Sequence, residues 1–309
     1  MRVLRVLLCA LVLATPVALV GAAETSSADR YSVTVSPVRL ELSADPGQSI
    51  ETTIVVRNVS NSPVDLKTET MDFVASDQPG TPAFVTNGVS PWSMSPWVKT
   101  DPTTVTLVPS QQETVTATIQ VPDDAEPGGH YAAVFFASVP NPQSGQTGVV
   151  AKVGTLLLLT VSGKIERSGT AALSCPWLIA EGPLRMQVGF TNTGNVHVKP
   201  EGRIDITTLR GKQVAQVDVG GDTVLPGSSR AFQATWQDPP DFGIFRVQAR
   251  LDYGGDSAAV SNRRTVLVAP WPYILATIAV FLIGITLGLF MRRRSRPSGA
   301  EEPEPTSRE

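Results

Sequence analysis

Few side chains in this 309-residue sequence are placed to do chemistry. His130 and His197 are its only histidines, and neither has a serine or cysteine nucleophile motif beside it or a second histidine at the HExxH spacing that would seat zinc. They read as turn or strand-surface residues. Carboxylates are plentiful, but a glycosidase needs two of them flanking one sugar bond, and no such constellation is legible. Asp123, Asp124 and Glu126 cluster ahead of Pro127. A calcium loop needs alternating oxygen ligands, however, and the proline breaks this run. With no glycine-rich phosphate loop and no zinc-type cysteine cluster, the sequence predicts a non-enzyme with no catalytic residue, metal or cofactor.

The residues best suited to binding lie in Ser90-Pro91-Trp92-Ser93-Met94-Ser95-Pro96-Trp97. An exposed Trp92 or Trp97, with Met94 between them, offers a large contact area and an indole donor to a sugar ring, a peptidoglycan strand or a protein. The same side chains could instead fold back over their own domain. A second pattern bears on that choice. Ala132 to Ala137 and Leu156 to Leu159 are apolar at consecutive positions, so both faces of these two strands must avoid water. One face meets a core. The other needs cover from the 75–102 segment, a second domain or a partner chain, and internal cover is the expectation.

The elements that hold these residues are mostly strands. Val33 and Val35 alternate with polar neighbours, as do Val38, Leu40 and Leu42 after Pro37, and similar runs recur to Val268 with Pro, Gly, Asn and Asp in the breaks. The order repeats. Asn58-Val59-Ser60-Asn61 matches Asn192-Thr193-Gly194-Asn195, Pro109-Ser110 matches Pro226-Gly227, and Gly129-His130-Tyr131 matches Gly243-Ile244-Phe245. The reading is an all-β protein with two immunoglobulin-like β-sandwiches in tandem, at 30–162 and 163–269, plus one C-terminal transmembrane helix. The first sandwich carries an inserted loop at 75–102.

The ends fit a membrane protein. Residues 1–23 have the basic, apolar and small-residue parts of a secretory signal. Trp271 to Met291 is free of charge and covers about 31 Å as a helix, enough to cross a bilayer core. Arg292, Arg293, Arg294 and Arg296 follow in the tail, 292–309, which places the C-terminus in the cytoplasm and the sandwiches outside. Gly284 and Gly288 form a small-xxx-small pair that would permit close helix approach and a weak homodimer. Once the signal is removed, Cys175 is the only cysteine left, so no intrachain disulfide can form. The chain has 25 Lys and Arg against 28 Asp and Glu, interspersed, so no basic surface for nucleic acid is indicated.

Several segments taken together resemble the WxL-interacting family of bacterial cell-surface proteins. These are Val33-Thr34-Val35-Ser36-Pro37, Val55-Val56-Arg57-Asn58-Val59-Ser60-Asn61, Ser95-Pro96-Trp97-Val98-Lys99, Leu107-Val108-Pro109-Ser110-Gln111 and Val121-Pro122-Asp123-Asp124-Ala125-Glu126-Pro127-Gly128-Gly129-His130-Tyr131, with Phe190 to Asn195 in the second half. The resemblance implies a peptidoglycan-binding first domain, a host-binding second domain and a membrane anchor. The function expected on this basis is a membrane-anchored binding protein attaching to cell-wall polymer or an envelope protein. The alternatives are a subunit or chaperone-like assembly factor of a membrane-associated complex, using an open strand edge, and a cryptic hydrolase. If the 75–102 segment packs back, limited proteolysis will cut there slowly; rapid cleavage throughout it would exclude the packed form.

Overall fold

The structure, a computed structural model, describes residues 32–76, 81–85, 90–139, 151–255 and 257–294. The expected signal segment, 1–23, lies outside the described residues, as does the tail from residue 295 onward. Among the described residues the protein is mostly β-sheet, with one long apolar helix following the last strand.

The N-terminal half contains β1 (Val33–Ser36), β2 (Arg39–Ala44), β3 (Ser49–Asn58), β4 (Val64–Ala75), β5 (Pro82–Phe84), β6 (Val98–Asp101), β7 (Thr104–Leu107), β8 (Gln112–Gln120), β9 (Gly128–Ser138) and β10 (Lys152–Val161). One sheet has the order β1-β3-β8-β6, and the other β2-β10-β9-β4-β5 with β7 also on β4. Alternation decides which side chains go inward. β8 buries Val115, Ala117 and Ile119 and leaves the residues between them more open. These three meet Ile54 and Val56 from β3 and Phe136, Leu157 and Leu159 from the facing sheet in one core.

The C-terminal half contains β11 (Gly169–Ser174), β12 (Leu178–Ile179), β13 (Leu184–Asn192), β14 (Glu201–Thr208), β15 (Gln213–Gly220), β16 (Ser229–Trp236), β17 (Gly243–Asp252), β18 (Ala258–Val260) and β19 (Arg264–Val268). Its sheets run β11-β13-β16 and β12-β19-β17-β14-β15, with β18 on β17. A separate core lies between them, built on Val188, Phe190, Ile204, Ile206, Phe232, Val247 and Val266. The helix α1 (Trp271–Arg294) follows β19 after two residues.

Both halves begin with the same change of sheet. β1 is antiparallel to β3, but after Pro37 the chain continues as β2, parallel to β10 in the other sheet. β11 likewise pairs with β13, and after Pro176 the chain pairs with β19 as β12. A proline lacks the N–H that a continuous ladder would use, so each first strand breaks there.

Two features depart from the sequence reading. Residues 75–102, expected as a loop, contain β5, a short 3-10 turn (Ser95–Trp97) and β6, which pairs with β8 as an edge strand. β6 and β12 are four and two residues long and sit beside prolines, too short for alternation to be legible.

The repeated asparagines do the same job in each half. Asn58, fully buried, donates through Nδ2 to the carbonyls of Ser62 and Leu107 and accepts at Oδ1 from the Ser60 N–H. Asn192 donates to Val196 and Val224 and accepts from the Gly194 N–H. Their own carbonyls accept the N–H of Ser110 and of Gly227, each at 3.0 Å. Both donor turns need a left-handed residue, with φ at +67° for Ser110 and +69° for Gly227. Asn192→Ala would take the side-chain partner from the Val196 carbonyl and the Gly194 N–H, while Val224 keeps the Val198 N–H, and should cost about 2 kcal/mol by denaturant unfolding. Ser110→Gly removes the left-handed penalty at some entropic cost and should stabilise by about 0.5–1 kcal/mol in the same assay.

Candidate functional site

The double-sided strands β9 and β10 lead to the site. On the face turned away from the core, Tyr131 and Ala133 of β9 and Leu158 of β10 cluster with Phe73 of β4, all buried. Trp92, Phe135, Leu156 and, from the C-terminal half, Leu225 pack against them. The aromatic loop and the second half therefore cover this face. Trp92 lies against the turn before β16, with its ring 3.3 Å from where a Cβ on Gly227 would stand. Its carbonyl accepts the Tyr131 N–H at 2.9 Å.

A buried carboxylate shapes the loop. Asp72 of β4 accepts the backbone N–H groups of Met94 and Ser95 at 2.9 and 2.7 Å through one oxygen and the Ser93 hydroxyl at 2.5 Å through the other. Three donors on one carboxylate hold Ser93-Met94-Ser95 in a single arrangement. Met94 is thereby driven into the first core at 0% exposure. Trp97 turns inward, half-buried, with its ring 4.6 Å from that of His130. His130 is itself buried, its ring nitrogens 3.2 and 2.9 Å from the carbonyls of Ser93 and Glu126. Of the sequence-expected site residues, Trp92, Met94 and Trp97 are thus brought together but engaged within the chain. Gly284 and Gly288 lie a turn apart on α1 with open space around them.

Beside this cluster the two halves meet through polar groups. Asn195 is the clamp. Its carbonyl accepts the Gly129 N–H at 2.8 Å, and its side-chain amide donates to the carbonyls of Pro127 and Lys164. Gly129 is required here, because a Cβ would stand 1.9 Å from the Tyr131 hydroxyl. That hydroxyl lies 3.4 Å from Nδ1 of His197, and the two rings meet edge to face. Glu41 of β2 bridges Arg39 at 3.2 Å and Lys199 at 3.0 Å, while Arg39 also donates to the Thr223 hydroxyl. A crevice of about 230 Å³ opens alongside, lined by Arg39, Leu156, Leu158, Leu225 and Arg230 among others.

Burial sets the charge states. Desolvation pushes the Tyr131 hydroxyl well above the usual phenol range, so it stays a donor. Burial pushes the His197 imidazole below its usual value; Glu41 opposes this, and Lys199, Arg39 and Arg167 add to it. The Lys199 ammonium beside Glu41 holds that carboxyl below the usual carboxylate range. Asp72, Asn195, His197 and Leu225 were not singled out by sequence reasoning as site residues. Only Asn195 carried a signal, at the end of the repeated turn.

No family model and no curated protein matches this sequence. Among solved structures, the chain is similar to the class 5 fimbriae chaperone CfaA, at 14% identity over 77% of this chain and 100% of that one, with a TM-score of 0.41. It is also similar to the Escherichia coli chaperone DraB (16% identity, 76% and 96% covered, TM-score 0.35) and to the Pseudomonas aeruginosa chaperone CupB2 (16% identity, 75% and 100% covered, TM-score 0.36). The expectation of a cell-wall-polymer binder is corrected by the packing: Trp92, Met94 and Trp97, the side chains meant to meet the polymer, are spent inside the chain.

The lowered His197 value gives a pH dependence. Between the ordinary imidazole value and the lower folded one, the unfolded chain binds a proton that the folded chain refuses, so stability falls as pH falls through that window. The Glu41 contribution is lost only further down, through a value below the usual carboxylate range. The melting temperature should therefore drop from pH 7 to pH 5.5, and His197→Gln should flatten that part of the curve.

Proposed function

We propose that this chain is a membrane-anchored, extracytoplasmic assembly factor that holds an extended segment of another protein by adding it to an open sheet edge. The supporting observation lies at the change of sheet in the N-terminal half. β2 pairs with β10 only over Leu156–Val161, because the preceding strand, β1, has left for the other sheet. Among the described residues no strand pairs with Lys152–Thr155 on that side. The Leu156 N–H donates toward Val38, and in a strand residues two apart point the same way. The backbone groups of Gly154 and Lys152 therefore face the vacated position. Beneath it an opening of about 170 Å³ reaches between the sheets, lined by Val33, Leu66, Phe136 and Val153 with Ser32 and Ser138 among them. A strand laid there would gain ladder hydrogen bonds from the edge and an apolar seat for alternate side chains.

The rest of the reading follows from the layout. Each sheet pair is an immunoglobulin-like sandwich, 30–162 and 163–269. Gly163 is the joint, with Pro127 packed where its Cβ would stand. α1 is long and apolar enough to cross a membrane and shows none of that stretch buried in the chain. Arg292, Arg293 and Arg294 at its end set the cytoplasmic side, so both sandwiches lie outside. The role is binding rather than catalysis. The solved complexes of similar chains pair chaperones with an adhesin or a pilin, and a secreted protein segment is the kind of partner this edge fits.

A photo-crosslinking residue at Val153, in the full chain in its native membrane, should capture a segment of an envelope protein. Lys152→Pro removes one outward N–H at the first position of the strand, where proline is tolerated. It should abolish capture while shifting stability by no more than about 0.5 kcal/mol. Capture unchanged by that substitution would overturn the edge-binding role.

A further inference from the structure

The end of the C-terminal half from which α1 emerges carries an aromatic and apolar rim. Register places it. Gly243 of β17 is opposite Val268, the last residue of β19, so Phe242 stands just past the strand end, beside the start of the helix. Thr208 of β14 is opposite Phe245, so the β14–β15 turn from Leu209 to Lys212 reaches the same level, and Leu209 is tied down by Arg246 donating to its carbonyl. Phe242 is 67% exposed and Leu209 46%, while Trp271 and Tyr273 on the first turn of α1 are 55% and 64% exposed. The Phe242 and Tyr273 rings lie 6.5 Å apart, which joins the loop to the helix in one surface.

These side chains belong to three places in the sequence, yet all ring the point where the helix leaves. On the reading that α1 spans a bilayer, we infer that this rim rests in the headgroup layer, with Phe242 and Leu209 inserted beside Trp271 and Tyr273. Aromatic rings are favoured at that depth, where an apolar body can leave water without entering the hydrocarbon. Arg210 and Lys212 stand on the rim, and so do Asp238 and Asp241. The charges oppose one another, so insertion rests on the apolar groups and needs no anionic lipid. A helix with a short connection would otherwise let the sandwiches swing. Contact by two loops in addition to the helix holds their axis to the membrane and sets the height of the β10 edge above it.

The test uses the full chain in phosphatidylcholine vesicles containing brominated lipid, which quenches tryptophan near the headgroups. Trp177→Phe and Trp271→Phe remove the exposed tryptophans, leaving Trp92, Trp97 and Trp236 to report an intact fold. Adding Phe242→Trp to that background should create a lipid-quenched emission that is absent without it and unchanged by phosphatidylglycerol. If the new tryptophan is not quenched while Trp271 in the Trp177→Phe chain is, the rim does not touch lipid and the span stands. If neither is quenched, the span falls, and this inference with it.

Discussion

The interaction on which the structure depends is the burial of β9 and β10 on both faces. A sheet with one wet face can live alone; one with two apolar faces cannot. Burying Tyr131, Phe73 and Leu158 stabilises by about 2 kcal/mol each, and the aromatic loop, Phe84 of β5, and Leu225 and His197 of the other half supply the surface that does it. The arrangement of the halves is therefore fixed by apolar contact, and the Gly163 joint has only to permit it. Closing that surface removes water from Tyr131 and much of it from His197, which find a partner in one another, while Asn195 bonds the backbone at the exposed margin.

That requirement also explains why the loop tryptophans are not free to bind. Their indoles, with Met94, complete one core and seal another, and Asp72 holds the loop so that they do. The ladder is incomplete at the start of β10, where the proposed partner segment would add. The same proline that carries the first strand to the opposite sheet leaves Lys152–Thr155 without a neighbour on that side among the described residues, beside a gap that reaches the core.

Much of this was legible in the amino-acid order because it is local. Alternation marks most strands, unbroken apolar runs mark the double-sided pair, and the repeated asparagine turns mark two equivalent halves whose identical hydrogen bonds explain the repeat. Short strands between prolines were not legible, since β6 has too few residues to show a period. Asp72 looks like any polar residue of a wetted strand until the loop about twenty residues later folds onto it. For Trp92 and Trp97, composition says only that a large ring needs a contact. For Trp92 the contact is made by Leu225, more than a hundred residues away, and for Trp97 by His130, on a strand of the facing sheet, and no short window of sequence contains either.

The route from β19 into α1 has a mechanical meaning. β19 is bonded on one side to β12, parallel, and on the other to β17, antiparallel, and it runs without a loop toward the helix. Tension applied through the anchor acts along this strand, across bonds that lie perpendicular to it, so they are loaded together in shear instead of being peeled one at a time. On the proposed reading that α1 spans a bilayer, the strand joined to the membrane is one held by neighbours on both sides, whose bonds are loaded together.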